Sequence, residues 1–288
     1  VRDLNYQLKQ LCHRNRDGSY ATQAKRMHHL MLIADQLYDL GFRGMSPRSL
    51  KQKHVNALVK DWLRQELVVG TIKNRMAVLR WWAEKADRRN VVARSNAYYG
   101  IPDRQFVTNT SKAKEVSAQD LERISDPHVR MSLELQQAFG LRREEAIKFI
   151  PSFADRGDHI RLKSTWTKGG KERDVPVRTD EQRAVLKRAH QLVGNGALIP
   201  SDRNYVQQLR VYERQTANAG LSKLHGLRHA YAQARYEELT GWKAPAAGGP
   251  IARLLSPGQK VMDRQARRTI SQELGHIREQ ISSVYVGK

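Results

Sequence analysis

Polar residues of the kinds that phosphoryl transfer requires are concentrated in four short segments in the second half of the 288-residue sequence. Arginine can neutralise negative charge on phosphate oxygens, histidine and lysine can move protons, and a tyrosine hydroxyl can act as a nucleophile. The segments are Gly140–Glu145 (GLRREE), Thr167–Arg173 (TKGGKER), His225–His229 (HGLRH), and Leu274–His276 (LGH) followed by Tyr285. Together, their order and spacing indicate a site for phosphoryl transfer.

In this order the segments resemble the conserved boxes of the tyrosine recombinases, the family of phage integrases and Xer-type proteins. The resemblance covers about residues 115–288, whereas residues 1–100 resemble the family's helical core-binding domain only in length and helix content. Carried over residue by residue, the resemblance implies the catalytic set Arg142, Lys168, His225, Arg228, His276 and Tyr285.

The attack of a tyrosine on a DNA phosphodiester calls for these residue types. Negative charge develops on the non-bridging oxygens, and the forked guanidinium groups of Arg142 and Arg228 can neutralise it with paired hydrogen bonds. A phenol with a pKa of about 10 needs a base or a strongly cationic pocket, and His225 is the candidate base. Lys168 would protonate the departing 5′ oxygen. His276 would donate a hydrogen bond to the phosphate and position the tyrosine helix.

Two further expectations concern the support of this chemistry. Glu145 follows Arg142 by three residues and is expected to brace that arginine through an ion pair. Cationic side chains supply the charge stabilisation, and a phosphotyrosine bond conserves the energy of the broken linkage. The sequence therefore predicts no metal ion and no cofactor.

Each of these residues also has a purely structural interpretation. Arg142 or Arg143 can be a solvated cation at the start of a helix. Tyr285 can be a packing residue in a C-terminal helix. His225 and His229 lie four residues apart, as two zinc ligands on one helix face do, although no nearby cysteine or adjacent glutamate supports zinc binding.

The composition indicates a polyanionic partner. Lysine and arginine number 51 against 29 aspartate and glutamate, which gives a formal charge of +22 and a pI near 10.3, beyond what solubility requires. Nucleic acid is favoured over a membrane surface because the sequence has no run of about 18 apolar residues. The single cysteine, Cys12, excludes an internal disulfide framework and a cysteine-rich zinc module, and fits a reducing cytoplasm.

Residues 1–100 are predicted to form helices only, because apolar residues recur at helical spacing and no alternating segment is long enough for a sheet. Ser46 and Pro47 form a capping signal that is expected to open one helix, and Thr71 is expected to start another. The polar face of the second helix would either contact DNA phosphates or face solvent, and it carries Lys73, Arg75, Arg80 and Lys85.

A polar, aperiodic stretch at 101–114 is predicted to link a domain of residues 1–100 to one of residues 115–288. In the second domain Ser117 is expected to cap a helix. A further helix is expected to run through Phe139 to Gly140.

A small antiparallel sheet is predicted within the second domain. Residues 160–163 alternate apolar with charged side chains, and residues 175–177 are two valines around a proline. Glycines between Lys168 and Lys171 permit the positive φ of a tight hairpin turn. Lys171 competes with Lys168 for the acid role, but the hairpin lysine of the family precedes the glycine turn, which favours Lys168.

The interval from His225 to His276 is about twice that of compact family members, and the excess coincides with the Gly/Pro-rich residues 241–258. We therefore expect an insertion at 237–267. Gly275 is expected to end the helix before it. The insertion would contact either DNA or a neighbouring subunit through Arg253, Lys260, Arg264, Arg267 and Arg268.

The fold class that follows is mainly α with a small antiparallel β-sheet, arranged as a helical core-binding domain and an α+β catalytic domain. The resemblance implies a site-specific DNA recombinase, the integrase of a phage or other mobile element, that works through a 3′-phosphotyrosine intermediate. It implies that the partner is double-stranded DNA with inverted-repeat core sites and that the protein forms a homo-tetramer on that DNA. Accessory DNA-bending or directionality proteins are possible further partners, and no membrane partner is expected. The expected location is the cytoplasm, with the nucleoid when DNA is bound.

Other functions stay open at this point. The same fold can serve as a catalytically idle DNA-binding regulator, against which the complete residue set argues. The same chemistry can relax supercoils, as type IB topoisomerases do, or resolve chromosome dimers. Only three residues follow Tyr285, which leaves open whether this tyrosine acts in its own subunit or in a neighbouring one.

Overall fold

A computed structural model describes residues 2–276 and 278–288. The chain divides into two compact units, Val1–Gln105 and Phe106–Lys288. Helices predominate among the described residues, and the sheet they contain has two antiparallel strands. The predicted fold class, mainly α with a small antiparallel sheet, is confirmed.

Helices that pack around a shared apolar core form the first unit. Trp62 and Trp82 are both fully buried in this core. Each buried indole N–H has a partner, since Trp62 donates to Gln36 Oε1 over 2.9 Å and Trp82 to the carbonyl of Pro47 over 3.0 Å. The α-helices are α1 (Asp3–Arg14), α2 (Tyr20–Asp39), α3 (Gln52–Arg64) and α4 (Val69–Lys85).

Ser46 caps a helical turn with Pro47 at its first position, as predicted, but this turn does not continue into the expected helix. Pro47–Ser49 form a single 3-10 turn, and α3 begins only at Gln52. Between the two, Leu50 has an extended backbone with ψ 126°, and its side chain is fully buried. The hydrophobic gain from directing this leucine into the core outweighs a continuous helix.

Helix α4 begins at Val69, slightly before the predicted start at Thr71. Its apolar residues are buried as the periodicity predicts. Much of its basic face is engaged within the first unit, where Arg75 lies over the ring of Trp62, Lys73 bonds to Asp103, Arg80 to Asn96, and Lys85 to Asp17. These contacts occupy charges that were predicted to meet phosphates or solvent.

The predicted linker at 101–114 has neither helix nor strand. Its two ends belong to different units. Ile101 is buried in the core of the first unit, whereas the backbone N–H of Lys114 donates to the carbonyl of Gly226 in the second.

The second unit is mainly helical and places its largest core beneath the sheet and the C-terminal helices. Ser117 accepts a hydrogen bond from the N–H of Asp120, which confirms the predicted cap. No helix among the described residues is long and apolar enough to cross a membrane. The α-helices are α5 (Ala118–Glu122), α6 (Pro127–Phe139), α7 (Arg143–Ile147), α8 (Pro151–Ala154), α9 (Asp180–Val193), α10 (Tyr205–Asn218), α11 (Gly226–Thr240), α12 (Pro257–Glu273) and α13 (Ser283–Val286).

The sheet pairs β1 (His159–Leu162) with β2 (Arg173–Pro176). Ile160 lies opposite Val175, and both are buried, as the alternating pattern predicts. Residues 163–172 join the strands, so the tight hairpin turn that was predicted is wrong. Gly169 and Gly170 do have positive φ, but the longer segment also inserts the side chain of Trp166 into the core.

The Gly/Pro-rich residues 241–258 separate α11 from α12, as predicted. Gly241 and Gly275 both adopt left-handed backbone conformations after a helix, at the ends of α11 and α12. The expected insertion at 237–267 therefore includes much of an ordered helix. Within it, the 3-10 turn Pro245–Ala247 packs against α13, the helix that carries Tyr285.

Candidate active site

Tyr285 is buried in α13 and faces three histidines. Its hydroxyl oxygen lies 3.3 Å from Nε2 of His276. Its ring centroid lies 4.7 Å from that of His229, 5.5 Å from His276 and 5.9 Å from His225. The hydroxyl of Tyr285 therefore has a polar neighbour, which a residue with only a packing role would not need.

Several side chains of the second unit hold the backbone of α13 in place. Gln233 of α11 donates to the carbonyl of Tyr285 over 3.0 Å. Arg267 of α12 donates to the carbonyl of Gly287 over 2.7 Å. The side chain of Asn109 accepts from the N–H of Lys288 over 2.7 Å. These bonds hold the tyrosine and the two residues after α13 through side chains from α11, from α12 and from the predicted linker.

Arg228 lies in the first turn of α11 and is only 1% exposed. Its guanidinium donates to the carbonyls of Gly140 and Leu274, and Cζ lies 5.8 Å from the ring centroid of Tyr285. Burial, together with the positive charge of Arg142, lowers its pKa to about 10. Nε is buried without a hydrogen-bond partner among the described residues.

Arg142 is placed by the way the chain leaves α6. Gly140 adopts φ 61° and ends α6, and Arg142 then caps α7. One guanidinium nitrogen of Arg142 donates to Glu145 over 2.8 Å and another to the carbonyl of Leu274 over 3.3 Å. Since Arg228 donates to the same carbonyl, the two guanidinium groups meet there. The side chain of Arg142 stays 19% exposed, as contact with a ligand requires.

Glu145 is fully buried and organises the arginines around it. Its carboxylate accepts from the backbone N–H of Arg142 over 2.7 Å and from both terminal nitrogens of Arg173 over 2.8 and 2.7 Å. Burial alone would raise the pKa of Glu145, but the hydrogen bond and charge of Arg173 and the charges of Arg228 and Arg142 outweigh it and lower the pKa to about 2. The expected brace between Glu145 and Arg142 is present in the structure.

The surroundings of the three histidines favour their neutral forms. Burial, followed by the charges of Arg228 and Arg142, lowers the pKa of His276 to about 4 and also lowers that of His225. Burial, and to a lesser extent the proximity of His225, lower the pKa of His229 to about 4. A neutral imidazole beside a phenol can accept its proton, which a charged one cannot.

Lys168 is the predicted site residue that the structure does not bring to the others. It is exposed in the 163–172 segment, and its side chain has no hydrogen-bond or ion-pair partner within the part of the chain described. Lys171, its competitor, is equally exposed in the same segment. The other five residues of the predicted set share one cluster around Tyr285 and the carbonyl of Leu274.

The sequence reasoning missed two charged residues of this cluster. Arg173, at the start of β2, pairs with Glu145. Glu273, at the end of α12, accepts hydrogen bonds from Tyr231 over 2.8 Å and from Arg235 over 3.0 Å. Both are separated by many residues from their partners, so local spacing carries no signal of them.

The zinc alternative for His225 and His229 finds no further ligands. Their ring centroids lie 5.6 Å apart. Among residues 2–276 and 278–288, no group of three or more histidine, cysteine, aspartate or glutamate side chains is arranged to hold a metal ion.

Two family models match the sequence. One is described as the N-terminal domain of phage integrases and matches residues 1–92, and the other is described as integrase and matches residues 103–234. The second match includes Arg142, Lys168, His225 and Arg228, and ends before His276. A comparison with curated proteins found no match.

Solved structures of recombinases share the fold. A lambda integrase tetramer bound to a Holliday junction is 16% identical with a TM-score of 0.60, over 98% of this chain and 76% of that one. XerH bound to a palindromic difH substrate after cleavage is 17% identical with a TM-score of 0.61, over 98% and 80%.

The Tn1549 transposon integrase in complex with circular intermediate DNA is 13% identical with a TM-score of 0.58, over 100% of this chain and 96% of that one. At such identities the likeness shows the fold, whereas the two family models match the sequence itself. The two family models together match residues 1–92 and 103–234, and they establish that the chain belongs to the tyrosine recombinase family, the family of the phage integrases.

Proposed function

We propose that this protein is a site-specific DNA recombinase, the integrase of a phage or other mobile element, and that it cleaves and rejoins DNA through a 3′-phosphotyrosine at Tyr285. The observation that carries the proposal is the cluster in which the hydroxyl of Tyr285 lies 3.3 Å from His276 while Arg142 and Arg228 meet at one carbonyl nearby. A buried tyrosine with only a packing role does not need two guanidinium groups beside it, one of them, that of Arg228, fully buried.

In the proposed reaction the oxygen of Tyr285 forms a bond to phosphorus while the bond from phosphorus to the 5′ oxygen breaks. Arg142 and Arg228 donate to the non-bridging oxygens and stabilise the charge that develops there. The phenol proton passes to a neutral histidine. His225 is the base inferred from the sequence, and His276 is the histidine whose nitrogen lies nearest the hydroxyl in this structure.

The departing 5′ oxygen requires a proton, and Lys168 is the proposed donor. Its exposed place in the 163–172 segment leaves its ammonium group free to approach a bound phosphate. The bond energy is retained in the phosphotyrosine, so the reverse attack by a 5′ hydroxyl rejoins the DNA. We propose that neither step uses a metal ion or a cofactor.

We propose that residues 1–100 bind DNA at the core site, that residues 115–288 carry out catalysis, and that residues 101–114 connect the two. It places a homo-tetramer on paired inverted-repeat sites, with accessory DNA-bending or directionality proteins as further partners. Support comes from the net charge of +22 and from the tetrameric lambda integrase that shares the fold. Since DNA is the substrate, the protein would act in the cytoplasm, on the nucleoid.

The test uses a nicked suicide duplex built from the inverted-repeat sequence that the protein selects from a random DNA library. We expect a covalent protein–DNA adduct in a denaturing gel, no adduct with Tyr285→Phe, and an unchanged adduct with the exposed control Tyr20→Phe. A chelator should leave the yield unchanged. Sequence-specific binding without any adduct would instead indicate a catalytically idle regulator and would overturn the proposal.

A further inference from the structure

Arg173 connects three parts of the active-site cluster. The side-chain hydrogen bonds that it makes to the described residues go to Glu145 and Glu273, which are not members of the predicted catalytic set. The side chain of Arg173 is 7% exposed. Both terminal nitrogens donate to Glu145, over 2.8 and 2.7 Å, and Nε donates to the backbone carbonyl of Glu273 over 2.9 Å. One guanidinium group therefore connects β2 with the start of α7 and with the end of α12.

Gly275 provides independent evidence that this contact is built into the site. Its backbone has φ +66°, and a Cβ added there would lie 2.9 Å from Cδ of Arg173. Any other residue before His276 would meet both backbone strain and the stem of this arginine. Because Gly275 has no side chain, the stem of Arg173 can pass close to its backbone and reach the carbonyl of Glu273.

We propose that Arg173 is a positioning residue for DNA cleavage, an inference that rests on the proposed recombinase function. Through Glu145 it sets the direction of Arg142, which donates to the same carboxylate. Through Glu273 it fixes the end of α12, so that the next carbonyl, that of Leu274, receives Arg142 and Arg228.

These contacts separate Arg173 from the leaving group. Arg173 lies five residues after Lys168 in the sequence, yet the side-chain hydrogen bonds that it makes to the described residues go to Glu145 and Glu273. It therefore acts on the side of the site that binds the phosphate. A defect at Arg173 should persist when the departing atom no longer needs a proton, whereas a defect at Lys168 should disappear.

The experiment measures the rate of adduct formation on two nicked suicide duplexes, one with the normal 5′ oxygen and one with 5′ sulfur at the cleaved linkage. A thiolate leaves without protonation because the pKa of a thiol is far below that of an alcohol. Arg173→Met should slow the reaction about 10- to 100-fold on both duplexes. Lys168→Ala should be slow on the oxygen duplex only. The matched control is Arg161→Met, which removes a half-exposed arginine of the same sheet.

DNA affinity and the unfolding temperature are measured for every variant. The double variant Arg173→Met/Glu145→Gln leaves no unpaired buried carboxylate and keeps the test available if the single variant unfolds. Arg173→Lys should retain part of the rate. A normal rate with Arg173→Met, or a rate that sulfur restores, would overturn the inference. A loss of rate that is fully explained by weaker DNA binding would also overturn the inference. An adduct with the unaltered protein in the same series shows separately that the proposed function holds.

Discussion

At the scale of single residues, Glu145 decides whether the guanidinium groups of the site are ordered. A buried carboxylate is costly unless cations and hydrogen-bond donors satisfy it, and here Arg142 and Arg173 both do so. Removing the carboxylate would leave these cations without their partner. We expect Glu145→Ala to lower the free energy of unfolding by about 3–5 kcal/mol, as chemical denaturation would show.

The same residue predicts a pH dependence of stability. Its pKa is about 2 in the folded protein and 4.5 as the ordinary value. The stabilisation is therefore complete above about pH 4.5 and is lost as the pH falls towards 2. We expect the unaltered protein to lose more unfolding free energy than Glu145→Gln across this window in denaturation series. Parallel curves for the two proteins would contradict this.

The residues of the site differ in how well sequence predicts them. The pair of Arg142 with Glu145 follows from a spacing of three residues at a helix start, a local rule. Arg173 and Glu145 are 28 residues apart, and their contact depends on how β2 packs beside α7. The contact of the carbonyl of Leu274 with Arg142 spans a still longer separation. Local sequence patterns carry no information about contacts between residues so far apart in the chain.

At the scale of elements, the junction between α6 and α7 depends on Gly140. It has φ +61°, and an added Cβ would lie 2.6 Å from the ring of Tyr231. Gly241 at the end of α11 has φ +81° with nothing within 4 Å, so it is the matched control. Gly241→Ala should cost about 1 kcal/mol, the ordinary price of positive φ, and Gly140→Ala clearly more. Equal unfolding free energies for the two variants would contradict this account.

Elements whose ends carry caps were predicted well, because a cap is a local signal. Ser117 begins α5 and Gly275 follows α12 as expected. The exceptions arise where tertiary packing competes. Leu50 breaks the helix predicted from Ser46 because it enters the core, and Trp166 lengthens the predicted hairpin turn for the same reason. A capping signal cannot report such competition.

At the scale of the whole molecule, the excess of 22 positive charges predicts strongly salt-dependent DNA binding. If about 6–10 phosphates are contacted, affinity should fall roughly 10³- to 10⁵-fold between 50 and 200 mM salt. A titration of labelled duplex by fluorescence anisotropy at several salt concentrations measures the slope. An affinity independent of salt would show that the charge serves another purpose.

The central claim is that Tyr285 becomes covalently joined to DNA, and its most direct test is to identify the residue that carries the phosphate. The adduct formed on a suicide duplex would be digested with nuclease and protease and analysed by tandem mass spectrometry. We predict a nucleotide attached to the tyrosine of the peptide that contains Ser283–Val286. A nucleotide on any other residue, Tyr231 or Tyr236 included, would contradict the account.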